Sequence, residues 1–163
     1  MRGVTAVTLA AALEREHREI DAGVHAFLAA LDRDTVDHEP LRRAMDALRR
    51  HIFLEEEYLF PPLRDAGLFA PIFVMLRQHG EIWDTLEELE NRLDDDAATT
   101  ADTCRRLLTQ LDAHNAKEEP IIYPQADTVL SAAAGAGLHA FIQAGRMPDG
   151  WVCARAGTAG PSA

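Results

Sequence analysis

At 163 residues the chain is long enough for one domain with a real core and too short for two. Its 16 Lys and Arg stand against 27 Asp and Glu, a net charge of −11, which argues against a nucleic-acid surface and leaves carboxylates free to hold a cation. Alanine, leucine and glutamate dominate without strand-like alternation or β-branched runs, so the expected class is all-α. Two cysteines, Cys104 and Cys153, make no disulfide framework and suit a reducing compartment. No stretch approaches the roughly 20 apolar residues of a membrane span. The opening Met1 to Ala10 has the look of a weak signal sequence, but it runs straight into charged helix at Glu14 with no segregated cleavage region. A cytoplasmic protein with no membrane contact is expected.

In chain order, the first predicted helix runs from about Thr5 to Leu31. Leu13, His17, Ile20, Val24, Phe27 and Leu31 keep the three- and four-residue steps of an inward stripe. His17 is on that stripe; His25 reads as a flank or surface histidine. After a polar link from Asp32 to His38, Asp37 can cap the second helix, with Pro40 tolerated in its first turn. Leu41, Met45, Leu48, His51 or Ile52, Glu55 and Leu59 continue inward until Pro61 and Pro62 end or kink the helix. Glu56 and Glu57 turn away from the stripe, to face solvent or stand behind the inward groups.

The third helix is predicted over about Pro71 to Leu93, with Ile72, Met75 or Leu76, His79, Ile82 or Trp83, Leu86 and Leu89 inward. The Asp94-Asp95-Asp96 link suits the start of a fourth helix from about Thr99 to Glu119, whose inward residues include Cys104, Leu107 or Leu108, Leu111, His114 and Glu118. A further helix is expected over Ala126 to Ala144, weakened by Gly135 and Gly137. The architecture is an up-and-down antiparallel four-helix bundle with a short C-terminal helix and a loose tail. Residues 1–145 form the bundle domain. Residues 146–163 form the tail, with Trp151 and Val152 the candidates to dock and the last ten residues loose.

The chemistry lies in an internal repeat. His51-Ile52-Phe53-Leu54-Glu55-Glu56-Glu57-Tyr58-Leu59-Phe60-Pro61 returns in degenerate form as His114-Asn115-Ala116-Lys117-Glu118-Glu119-Pro120-Ile121-Ile122-Tyr123-Pro124. A companion precedes each copy at nearly the same interval, Glu16-His17-Arg18-Glu19-Ile20 and Gln78-His79-Gly80-Glu81-Ile82. Residues four apart stack on one helix face, so His51 points with Glu55 and His114 with Glu118. At about 1.5 Å rise per residue, all these groups and the lone His17 and His79 lie some 20 Å from their hairpin turns, in one layer. A buried hydrogen-bonded network is the plainer account. It leaves two carboxylates among apolar stripes without partners, a state a cation resolves. The donors exceed the four of a tetrahedral zinc and suit two ions, each held by two imidazoles and sharing two carboxylates. Mixed nitrogen and oxygen ligation without thiolate favours iron, ahead of manganese or zinc. A coordination position is left for an exogenous small molecule.

These motifs resemble the hemerythrin-like proteins, the HHE cation-binding domains, over about residues 9 to 130. The resemblance rests on Glu16-His17, His51-x3-Glu55-Glu56 with Leu59-Phe60-Pro61, Gln78-His79, and His114-x3-Glu118-Glu119 with Ile122-Tyr123-Pro124. It implies a four-helix bundle around an oxo- or hydroxo-bridged pair of iron ions, with His17 and His51 on one, His79 and His114 on the other, and Glu55 and Glu118 bridging. Oxygen-carrier members have a fifth histidine in the third helix, where this chain offers Met75 and Trp83. Their last bridging carboxylate is an Asp five residues after its His, where this chain has Glu118 four residues after. The pattern looks more like regulatory and bacterial members. The expected function is binding of, or reaction with, dioxygen, peroxide or nitric oxide, in sensing or detoxification. The alternative is a structural or iron-storage bundle that acts through a protein partner without turnover. Met75, Trp83 and Phe53 are expected to surround the centre, with His25 and Tyr58 as candidate proton donors.

Overall fold

The computed structural model describes residues 6–158, and the regular elements among them are all helical. They are α1 (Leu9–Leu31), α2 (Glu39–Leu54), α3 (Phe60–Asp65), α4 (Phe69–Arg92), α5 (Ala97–Ile121), α6 (Tyr123–Val129) and α7 (Ala132–Ala144). The antiparallel bundle has four arms, namely α1, α2 continued by α3, α4, and α5 continued by α6. The short α7 packs on the outside, against α1 and α2.

The helix ends follow from local chemistry. Thr8 caps α1, its hydroxyl accepting from the amide of Ala11 at 3.1 Å; Thr5, the expected start, lies outside the described residues. Asp37 accepts from the amide of Glu39 at 3.1 Å, and Asp96 from those of Ala98 and Thr99 at 3.3 and 3.2 Å, satisfying donors that have no partner within the helix. The helix expected over Ala126 to Ala144 is two helices. Leu130 is extended, and Ser131 begins α7 by accepting from the amide of Ala134. Pro61 and Pro62 kink the second arm rather than end it. They lack the N–H groups that would bond Glu57 and Tyr58, and the chain takes a wider turn over Glu55–Leu59, in which the Phe60 amide reaches back to the Glu55 carbonyl. In the second copy the same stretch breaks at Ile122, between Pro120 and Pro124.

Two apolar clusters fill the bundle. One contains Ile20, Leu48, Ile52, Ile82 and Leu111; the other contains Leu13, Leu59, Met75, Ile122 and Tyr123. Along each arm the inward His and Glu residues fall between a member of the first cluster and a member of the second. The polar groups thus form one layer, clamped between two halves of the core.

In the C-terminal segment Trp151 docks as expected, Val152 is exposed, and the residues after them are more ordered than expected. Trp151 packs on the bundle, Cys153 is buried, and the amides of Ala154 and Gly157 donate to Glu56 and Asp84 at 3.0 and 2.8 Å. Gly80 permits this approach, since a Cβ there would stand 2.4 Å from the Arg155 carbonyl oxygen. Residues 154–158, expected to be loose, are therefore tied down by backbone donors that composition does not reveal. Residues 159–163 lie outside the described residues.

Candidate metal centre

His17, His51, Glu55 and Glu118 bring four donor atoms within 4.8 Å of one another, and so do Glu55, His79, His114 and Glu118. All are buried, with both glutamates fully so, and the two glutamates belong to both groups. The layer read from the repeat is thus assembled from α1, the second arm, α4 and α5. His17 and His51 lie with ring centroids 4.7 Å apart, and His79 and His114 4.9 Å apart. The Nε2 of His51 is 2.6 Å from Oε1 of Glu55, and that of His114 is 3.2 Å from Oε2 of Glu118.

The remaining ring nitrogens face away from the centre onto acceptors. Nδ1 of His17 donates to Glu119 at 3.2 Å, that of His79 to Glu56 at 3.0 Å, and that of His114 to the Gln78 side-chain carbonyl at 2.9 Å. Nδ1 of His51 stands 3.8 Å from Glu16, beyond a hydrogen bond. With their protons fixed on Nδ1, the bonded imidazoles turn the Nε2 lone pair inward, as metal ligation requires.

The electrostatics point the same way. Burial, then the neighbouring Glu118 charge, holds the Glu55 carboxyl well above the usual carboxylate range. Burial acts to raise Glu118 too, but the neighbouring His114, with Glu55 and His17, outweighs it and holds that carboxyl well below. Burial lowers His79 despite its bond to Glu56, which favours the neutral ligating imidazole. Among the described residues both oxygens of Glu55, Oε2 of Glu118 and Nε2 of His79 are buried with no partner in hydrogen-bonding geometry, the close approaches of His51 and His114 included. Orphaned acceptors of this kind are costly in a low-dielectric interior and are what a shared cation would satisfy.

The hemerythrin HHE cation-binding domain family matches residues 8–126. The chain belongs to this family. No curated protein and no solved structure matches it. As in hemerythrins, the two His and Glu clusters are arranged to coordinate a bridged pair of iron ions.

Of the two positions read for Glu56, the structure gives the second: it stands behind His79 rather than facing solvent. Several residues of this hemerythrin-like centre lie elsewhere than the sequence suggested. His25 is exposed, and Tyr58 stacks on Phe141 at the surface, so neither reaches the layer. Phe53 packs against Phe141 and Trp151, while Trp83 and Met75 belong to the two apolar clusters that clamp the layer, one on each side, and do not line the cavity beside it. The walls of the small cavity beside the donors are instead Ile20, Leu48, Ile52, Ile82 and Leu111, with Asp21 and Asn115 as its other polar residues. About 10 Å³ is open there to the centre of a water-sized sphere, room for roughly one water.

The residue that sequence reasoning missed is Tyr123. Its phenol oxygen lies 2.8 Å from Nε2 of His17, 3.0 Å from Nε2 of His51 and 2.9 Å from Oε1 of Glu118. Burial, then the charges of Glu118 and Glu55, pushes its ionisation well above the ordinary tyrosine value. A straight helix would turn position 123 away from Glu118; the break at Ile122 brings it back. The available signal was the repeat itself, which aligns Tyr123 with Phe60. Phe60 stacks on His79 at 5.3 Å just as Tyr123 lies over His17 at 5.3 Å.

Proposed function

We propose that the chain carries two iron ions, one on His17 and His51 and the other on His79 and His114, with Glu55 and Glu118 shared between them. The pair would be used to bind or react with dioxygen, hydrogen peroxide or nitric oxide, in sensing or detoxification within the cytoplasm. The observation that carries the reading is the sharing of both buried glutamates by two four-residue donor groups. Bound there, the ions supply redox-active Lewis-acid centres with exchangeable positions.

The chain's own part is orientation and exclusion. Glu119, Glu56 and Gln78 fix three imidazoles through Nδ1. The isoleucine and leucine walls of the cavity leave room for about one water and offer no donor of their own. Asp21 and Asn115 each have a side-chain oxygen that is buried without a partner and line the same cavity, at the interface of α1 and α5. A mostly apolar site with few groups to hold a small oxidant by hydrogen bonds favours reaction over reversible carriage.

Metal analysis and stopped-flow spectroscopy test the reading. Protein produced with ample iron should hold about two iron per chain, and the double variant His51→Ala, His114→Ala should hold far less. The reduced protein should oxidise on mixing with oxygen, peroxide or nitric oxide and should not recover under vacuum. Full recovery indicates a carrier. Indifference to all three supports the storage or structural role, and undiminished iron in the double variant overturns the site.

A further inference from the structure

We propose that Tyr123 is a protein ligand of the iron held by His17 and His51, which leaves the ion on His79 and His114 as the one open to an exogenous molecule. This rests on the di-iron reading above and adds an asymmetry to it. Ligand atoms set at right angles around an ion with bonds of about 2.1 Å lie about 3 Å from one another. The phenol oxygen of Tyr123 stands 2.8, 3.0 and 2.9 Å from Nε2 of His17, Nε2 of His51 and Oε1 of Glu118, the spacing of a fourth donor around the same point. A phenol can donate once and accept from a ring N–H, but with the His17 proton on Nδ1 its one proton faces two acceptors, Nε2 of His17 and Oε1 of Glu118. Three contacts near 3 Å, all to donors of one ion, fit a phenolate ligand of that ion.

The other half of the repeat provides the contrast. At the equivalent position Phe60 lies against His79 and brings no oxygen. His79 is also the histidine whose Nε2 has no partner. The chain therefore presents His17, His51, Tyr123 and two shared carboxylates to one ion, and only His79, His114 and the shared carboxylates to the other. Ligation breaks the phenol O–H bond and forms an oxygen–iron bond. The proton leaves to water, and the iron keeps its oxidation state. Anionic oxygen is a favoured donor for a hard ferric ion.

The experiment uses the full chain with both ions ferric, its iron content measured first. The sequence has two tyrosines, so Tyr58→Phe, a change at the surface, leaves Tyr123 as the only one. In that protein, resonance Raman spectra excited in the visible should show tyrosinate ring vibrations that shift when ring-deuterated tyrosine is incorporated. Tyr123→Phe should keep about two iron and lose the visible charge-transfer band. Azide should bind once per chain in the parent protein and twice in Tyr123→Phe. Two iron per chain without tyrosinate vibrations overturns the assignment, as does a band unchanged in Tyr123→Phe or two azides on the parent protein. Should Tyr123→Phe fail to hold iron, the deuterium shift alone decides. A parent protein that binds no iron overturns the di-iron reading together with this one.

Discussion

Glu56 accepts a hydrogen bond from Nδ1 of His79 at 3.0 Å, although the two residues come from different halves of the internal repeat. Its counterpart Glu119 does the same for His17, so each half orients the lone histidine of the other. Glu56 also takes the amide of Ala154 on its second oxygen, which links the centre to the C-terminal segment. Groups behind a ligating histidine typically carry about 10–100-fold in metal affinity. Glu56→Ala should weaken iron binding by about that factor, and Glu56→Gln, which keeps an acceptor, by less. Glu57→Gln should change little, because Glu57 reaches only Trp151. Competition with a chelator of known affinity measures all three, and equal affinities in Glu56→Ala and the parent protein refute the orienting role.

The two shared carboxylates yield a second prediction. Glu55→Gln and Glu118→Gln preserve volume but remove the charge that both donor groups draw on. Each variant should lose magnetic coupling between the ions even where some iron remains. Mössbauer spectra decide this, and an intact coupled pair in either variant rules that residue out as a bridge.

The donors were legible in the sequence for a simple reason. His51 and Glu55, like His114 and Glu118, are one helical turn apart, and periodicity alone places each pair on an inward stripe. What stands behind them was not legible. A helical wheel describes one helix, whereas Glu56, Glu119 and Gln78 act on histidines of neighbouring helices. Glu56 thus read as facing solvent or standing behind the inward groups, with no histidine to assign it to, and its side chain is nearly enclosed behind His79. Tyr123 was hidden by the break at Ile122, which changes the helical phase in a way that periodicity does not carry. The docked tail depends on the amides of Ala154 and Gly157, and backbone donors have no signature in side-chain composition.

Gly80 bears on that tail. An alanine there would gain about 1 kcal/mol in helix propensity. Its Cβ, however, would fall 2.4 Å from the Arg155 carbonyl oxygen, so the segment must move away. Burial, with Glu56 adding to it, pushes the Cys153 thiol up to about 12, and release of the segment returns it toward its ordinary value. The thiolate fraction of Cys153 should then rise on the order of 100-fold or more in Gly80→Ala, while Cys104, inside the bundle, stays protected. Alkylation followed by mass spectrometry separates the two thiols. Unchanged protection of Cys153 means the contact with Arg155 is not what holds the tail.

Removal of the metal should expose the cost of the polar layer. Without a cation, Glu55 and Glu118 lie fully buried within one cluster of donor atoms, and four of the inward-facing polar atoms have no partner. A ligand that binds only the folded chain, at about 1,000 times its dissociation constant, stabilises by about 4 kcal/mol. For a chain of this size that corresponds to a Tm change on the order of 10 °C. Chelated protein should therefore melt about that much lower than the iron-loaded form and recover on adding iron back. Glu55→Leu replaces one buried carboxyl with an apolar group of similar size, and its melting temperature should respond weakly to chelator or iron. Calorimetric scans of both proteins, with and without chelator, give the comparison. An equal Tm for loaded and chelated parent protein, at an iron content shown to differ, would mean the layer is stable on its own hydrogen bonds.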